Sequence, residues 1–319
     1  MPNSKSRHAG RSVGLSLLGN GLAGTAGTVA AIYALNTPSP VIGFVRLAIG
    51  ALTLLILAPF FGGKLKNLAR LAARPGVWIM AASSASYQAF FFASVERTGV
   101  ATAALITVGC VPVSAGIVGW IFLRERLSKI WFLSTAIAIS GLVFASIGEL
   151  QTNDATGLLY AVIAGSGIGA YINAAKVEVR AGGHPMQLPG MAFLLGSVGL
   201  FFIVRSEVLA VQWTTQTILL AVYLGAITMG IANGIQTVGL KGISPGVAST
   251  MMLADPVTAA VLGVVVLGEA ATINGAIGLL LVVIGLVMQS FSATEDTNNS
   301  KTPGRHRKSA TTQVPKSML

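Results

Sequence analysis

One of the ten acidic residues in this 319-residue chain stands where acids are rare. Asp255 lies midway along the apolar run 245–266, and no other charged residue shares that run. An ionisable group at such depth in a hydrocarbon layer is costly unless it faces water or a partner. Two chemistries fit it: holding a substrate ammonium, or carrying a proton, with both in turn a third option. A protonated carboxyl bonded to a neighbouring helix is the purely structural alternative. Arg46 sits near the start of another apolar run, 41–61. Its long side chain can snorkel outward, receive a carboxylate, or pair with Asp255.

Neutral polar residues recur at helical spacing in further apolar runs. Asn233 and Gln236 share a face, as do Asn20, Gly24 and Thr28. Ser166, Gly169 and Asn173 form a third stripe, and Ser83 and Tyr87 a fourth, with Gln88 beside them and Phe90-Phe91-Phe92 following. Any one of these residues as interhelical glue contributes only about 0.6 kcal/mol. Spread over so many runs, they outline a polar pocket.

Other chemistry is excluded residue by residue. Gly19–Gly24 fits GxGxxG, but no strand precedes it, so it is no dinucleotide loop. Gly242–Gly246 fits GxSxG and opens an apolar helix, again without a strand. The three histidines, His8, His184 and His306, fall in tails or loops, leaving no buried base for a serine. Cys110 is the single cysteine, so an intrachain disulfide and a cysteine metal site are both impossible. No Walker A motif is present. The expectation is a non-enzyme with no cofactor and no metal.

The elements that must carry these residues follow from composition. Apolar residues make up 53% of the chain and charged ones 10%, with a mean hydropathy of +0.76. Soluble domains carry about 25% charged residues, so this is a polytopic membrane protein. Its 38 glycines suit close helix contacts in lipid. A spanning helix needs about 20 mostly apolar residues. Ten such runs can be read: 13–34, 41–61, 76–95, 101–122, 129–148, 156–175, 187–205, 216–239, 245–266 and 272–291. Residues 1–12 and 292–319 are then tails, the second basic and disordered in character.

The net charge of +11 could suggest nucleic acid, but its placement says otherwise. With the N-terminus inside, eighteen of the 21 Lys and Arg fall on the cytoplasmic side; Arg97 and Arg205 fall outside, and Arg46 lies within a span. By the positive-inside rule both termini are cytoplasmic.

A repeat completes the organisation. Shifted by 144 residues, Pro112-Val113 falls on Pro256-Val257, Ala115 on Ala259, Gly119 on Gly263, Leu123 on Leu267 and Glu125 on Glu269. Gly141-Leu142-Val143 falls on Gly285-Leu286-Val287. Two halves of five spans each, 13–148 and 156–291, enter the membrane from opposite sides, the inverted repeat of alternating-access carriers. Each proline removes a helical hydrogen bond, which makes Pro112 and Pro256 candidate hinges. Glu125 and Glu269 end matching spans as gate candidates or hairpin anchors, each just before an N-cap candidate, Ser128 or Thr272. Arg124 and Arg126 are cations within reach of Glu125 alone.

Pro-Val…Leu-x-Glu followed by a Gly-rich apolar helix, once per half, resembles the drug/metabolite transporter superfamily, EamA-type. The second copy, Asp255-Pro256-Val257…Leu267-Gly268-Glu269, is similar to the acid-Pro…Leu-Gly-Glu stretch of its amino-acid and metabolite exporters. The first copy departs from it at Val111 and Arg124. The resemblance implies a ten-helix carrier of small organic solutes, usually an exporter. The reading is therefore an all-α inner-membrane protein of ten helices in two inverted halves, exporting a small amphipathic metabolite such as an amino acid. Its expected partners are that solute, the bilayer and, as options, a coupled proton and a second copy in a homodimer. Substrate-binding candidates are Asp255, Asn233, Gln236, Tyr87, Gln88, Asn20, Asn173 and Arg46. Cationic-drug efflux is the alternative within the class; a receptor or scaffold is the alternative outside it.

Overall fold

The structure, a computed structural model, describes residues 4–33, 38–64, 66, 68–125, 127–147, 154–268 and 272–299. Among these residues all regular structure is helical. In chain order the helices are α1 (Ser4–Tyr33), α2 (Ser39–Leu57), α3 (Leu68–Ala72), α4 (Pro75–Leu123), α5 (Lys129–Ala145) and α6 (Ala155–Arg180). Then come α7 (Gln187–Ala210), α8 (Thr215–Val222), α9 (Ala232–Gly239), α10 (Pro245–Met251), α11 (Ala254–Leu267) and α12 (Ile273–Asn299). A 3-10 turn, Ala58–Phe61, extends α2, and a π-helical stretch, Tyr223–Ile231, joins α8 to α9.

Eight helices among the described residues are long and apolar enough to cross a membrane, and α5 is a shorter apolar helix. The third predicted span, 76–95, falls in the first limb of α4. That helix is broken at Gly99, whose φ of 79° and ψ of 163° only glycine adopts without strain. The second limb carries the fourth predicted span. Two ends differ from expectation: α1 already begins at Ser4, and α12 runs on to Asn299. The rest of the predicted tail, 300–319, and Glu269 lie outside the described residues.

Local chemistry sets the helix starts. Ser128 Oγ accepts the Trp131 N–H at 3.0 Å, and Thr272 Oγ1 accepts the Gly275 N–H at 3.0 Å, as the N-cap reading expects. Asp154 caps α6 through Gly157 N–H at 2.9 Å and pairs with Arg97 at 3.0 Å. Those two groups hold its carboxyl below the usual carboxylate range.

In lipid, helices associate by close packing rather than by the hydrophobic effect. The small residues show where this happens. Helix α6 lies against both limbs of α4, with Gly157 on Arg97 and Thr98, Gly165 on Thr107 and Cys110, and Gly169 on Ser114. Helix α1 lies against α9 and α11, with Gly19 on Ala232 and Gln236, and Gly24 on the Asp255 backbone carbonyl. Gly230 and Gly234, which bracket Asn233, meet Thr53 and Leu54 of α2. Helices α5 and α12 pair through Gly141, Gly278 and Gly285, and Ser134 Oγ donates to Gln289 Oε1. Two packing groups result, one of α4 with α6 and one of α1 with α9 and α11, while α10 lies against α4, α6 and α1.

Candidate functional site

The two groups face each other across a cavity with about 850 Å³ of atom-free volume, its open mouth included. Asn20 and Ala23 of α1, Thr228 and Met229 of the π stretch, Asn233 and Gln236 of α9, Met252, and Asp255 of α11 form one wall. Ser84, Tyr87, Thr107, Val108 and Val111 of α4, with Ile168, Tyr171 and Ile172 of α6, form the other. Arg46 of α2 and Phe193 of α7 close the sides. Tyr171 and Phe193 stack with ring centroids 6.0 Å apart, giving the chamber an aromatic floor.

Asp255 reaches this chamber because the helix around it is discontinuous. Ser244 Oγ caps α10 through the Val247 N–H, and α10 ends at Met251. Pro256 has no N–H to offer the Met252 carbonyl. That carbonyl takes the Asp255 N–H instead, at 3.0 Å, which tightens the chain into a turn. Helix α11 then starts at Ala254 with Asp255 in its first turn, where the helix dipole favours negative charge.

Polar groups in the chamber divide into bonded and unbonded ones. Asn20 Nδ2 donates to Ser16 O at 2.7 Å, and Asn233 Nδ2 to Met229 O at 2.8 Å. The buried Arg46 Nε and Tyr171 hydroxyl have no hydrogen-bond partner. Among the ion pairs of the described residues, none joins Arg46 to Asp255. Arg46 also lines a smaller apolar cleft with Val41, Trp213 and Thr217, so its side chain lies between the two spaces. Asp255, Arg46, Tyr87, Asn20, Asn233 and Gln236 thus converge on one space.

Two predicted binding residues are elsewhere. Asn173 donates to Ala115 O at 3.0 Å and Gly169 O at 2.9 Å, tying α6 to α4 off the cavity. Gln88 is buried behind Tyr87, against Gly43 of α2, with its amide unpartnered. One residue step, about 100° around the helix, brings Tyr87 into the chamber and leaves its neighbour behind. The hinge and gate candidates also separate. Pro112 is buried inside the unbroken second limb of α4, whereas Pro256 lines a groove among α5, α11 and α12 with Val257, Val261 and Leu279. Glu125 pairs with Arg180 of α6 at 3.3 Å, a cation from the other half that chain proximity to Arg124 and Arg126 did not suggest.

Sequence reasoning missed Tyr171, Phe193, Thr228 and Met229. The first two are one apolar-run aromatic among many. The other two owe their direction to the π stretch, which re-aims side chains by widening the turn and is frequent at functional sites.

Comparison with known proteins places this geometry. A solved crystal structure superposes on 90% of this chain and 98% of its own with a TM-score of 0.75 at 19% identity, a likeness of fold alone. An uncharacterized transporter of Bacillus subtilis, YwfM, is 30% identical over 273 residues, covering 84% of this chain and 89% of that protein. An uncharacterized transporter of Clostridium kluyveri is 25% identical over 190 residues, covering 57% of this chain and 60% of its own length. The EamA-like transporter family matches twice, over residues 11–147 and again over 155–291. With both halves of its membrane region matched, the chain belongs to the EamA-like transporter family.

Proposed function

We propose that the protein is a secondary transporter that exports a small amphipathic metabolite, an amino acid or a related zwitterion, by alternating access. The observation that carries this reading is the pairing in one chamber of an acid and a base that do not bond each other. Asp255 would take the substrate ammonium, and Arg46 the carboxylate. Asn20, Asn233, Gln236 and Tyr87 supply donors and acceptors between them. Val108, Val111, Ile168 and Ile172 offer the solute's apolar part a dry wall, the mix expected of a small-molecule pocket.

In this reading the chain has ten spans, in two inverted halves of 13–148 and 156–291, between cytoplasmic tails. The packing groups, each joining one half's first helix to the other half's third and fourth spans, are the bodies that rock about the chamber. Pro256 acts as the main hinge and Pro112 as a lesser one, and Glu125 with Arg180 belongs to the gate. Asp255 can also exchange its substrate charge for a proton. Cationic-drug efflux has less support, because Arg46 places a positive charge in the same space.

The experiment is comparison of metabolites in the medium and inside cells with and without overexpression. Export of at least one zwitterionic metabolite, with a lowered internal pool, is the expected result. Faster accumulation across a broad panel, with no efflux, would reverse the direction.

A further inference from the structure

Lys176 is a buried cation with no place in the chamber. It sits in the last turns of α6 and is only 4% exposed. Its Nζ donates to Leu240 O at 2.6 Å, to Ile243 O at 2.6 Å and to Lys241 O at 3.4 Å. These carbonyls belong to the end of α9 and its turn into α10, where helix carbonyls are left without backbone donors and a cation is favoured. An ammonium carries three donors, and this cage uses all of them.

The position of the cage gives it a consequence. Lys176 belongs to the α4–α6 packing group, whereas its acceptor Leu240 ends α9 of the α1–α9–α11 group, and Ile243 lies in the turn to α10, which touches both groups. A second, narrow space leads off the chamber, sharing Asn20, Tyr171, Asn233 and Met252 with it. It runs toward the face where α6 ends, between Ser16, Ala175, Leu240 and Ala248. Ala175 is the residue before Lys176, and Leu240 supplies one of its acceptors. The cage therefore stands beside that space, at the α6 C-terminal end.

The same end of α6 is fixed to its own group as well. Glu178 accepts Arg74 Nη1 at 2.8 Å, and Arg180 pairs with Glu125 at 3.3 Å. Both of those bonds hold α6 to α4 and its end, so they move with α6. The Lys176 bonds are different in kind, since they span the two groups that line the chamber.

We propose that the Lys176 ammonium is a latch, bonding α6 to the α9–α10 turn while the chamber is closed toward that face and releasing when it opens there. This rests on the alternating-access reading above, but not on any substrate. Charge-assisted bonds to three carbonyls favour the closed arrangement, so removing them raises the open population by about tenfold or more.

The test reads accessibility rather than transport, so it stands whether or not the zwitterion assignment does. In a Cys110→Ala background, Ala248→Cys puts a thiol in the passage. The readout is its labelling rate by a charged, membrane-impermeant methanethiosulfonate applied from the α6 C-terminal face of oriented vesicles. Lys176→Met should raise that rate by about tenfold or more. Lys176→Gln, which keeps a donor but loses the charge and the reach, should fall between and carries the test should the Met variant not accumulate. Labelling at the unsubstituted rate in the variant that folds would overturn the latch.

Discussion

Val111-Pro112 and Asp255-Pro256 occupy matching places in the two halves, and the chain treats them differently. Around Pro112 the helix α4 continues to Leu123. Around Pro256 it stops, turns at Met252 and Leu253, and restarts. Yet the residues before each proline face the same chamber: Val108 and Val111 from one side, Met252 and Asp255 from the other. The difference teaches how a repeated scaffold acquires a one-sided site. Symmetry delivers two equivalent positions to the chamber, and a single substitution, acid for valine, gives it a charge at one of them. The broken helix then sets that acid in a first helical turn, where backbone dipoles support it.

Making the halves alike should have the largest effect. Asp255→Val copies the first half into the second and leaves Arg46 without an opposite charge in the chamber. It also removes the charged contact proposed for the substrate ammonium, about 1.5 to 3 kcal/mol. Transport should fall by about a hundredfold, with normal membrane insertion, as read by efflux from reconstituted vesicles. Retained transport would mean the chamber works without its asymmetry.

The prolines give the next test. Pro256→Ala returns an N–H that can reach the Met252 carbonyl and join α10 to α11. We expect transport about tenfold slower, with little change in thermal stability. Pro112→Ala, inside a helix that is already continuous, should stay within about threefold of the unsubstituted rate. Equal effects at both positions would restore the symmetric-hinge picture and remove the contrast drawn here.

Much of this was legible in the sequence, for reasons that differ by residue. The apolar runs were readable because lipid demands them, and Asp255 because nothing else charged lies at its depth. The repeat came from identities such as Gly119 with Gly263. That Gln88 and Asn173 lie outside the chamber lining was not legible, because helical spacing gives a face but not the direction it points. Lys176 looked like one more topology charge, since its acceptors are backbone carbonyls more than sixty residues away and no side-chain pattern marks them. The Gly99 break and the π stretch are backbone events with weak sequence signs.

Smaller effects sharpen the same comparison at the ends of the matching helices. Arg124 and Gly268, equivalent by the repeat, both adopt left-handed backbone, with φ of 52° and 68°. Arginine is strained there and glycine is not. Arg124→Gly should raise thermal stability by up to about 1 kcal/mol, and Gly268→Ala should lower it by about 1 kcal/mol. The same shift pairs Asp154 with Gly10, which lies inside α1, so the carboxylate cap of α6 has no counterpart there. Because the folded Asp154 carboxyl titrates below its usual value, its contribution is present above that value and lost as pH falls through the folded one. Hydrogen exchange at the start of α6, corrected for intrinsic rate, should rise only below about pH 4, with α1 unchanged.

The account turns on the Asp255 charge, and one measurement reaches it directly. Asp255→Asn keeps the size and the hydrogen-bonding capacity but can neither hold an ammonium by charge nor exchange a proton. Efflux by purified, reconstituted protein should be followed across about pH 6 to 8, a range that spans ordinary working conditions. The account predicts that the Asn variant inserts and folds normally but loses transport or its dependence on pH, and that Asp255→Glu keeps part of the activity with a shifted optimum. Transport by the Asn variant at the unsubstituted rate throughout that range would contradict it, leaving Asp255 as a packing residue and the neutral groups of the chamber to recognise the solute alone.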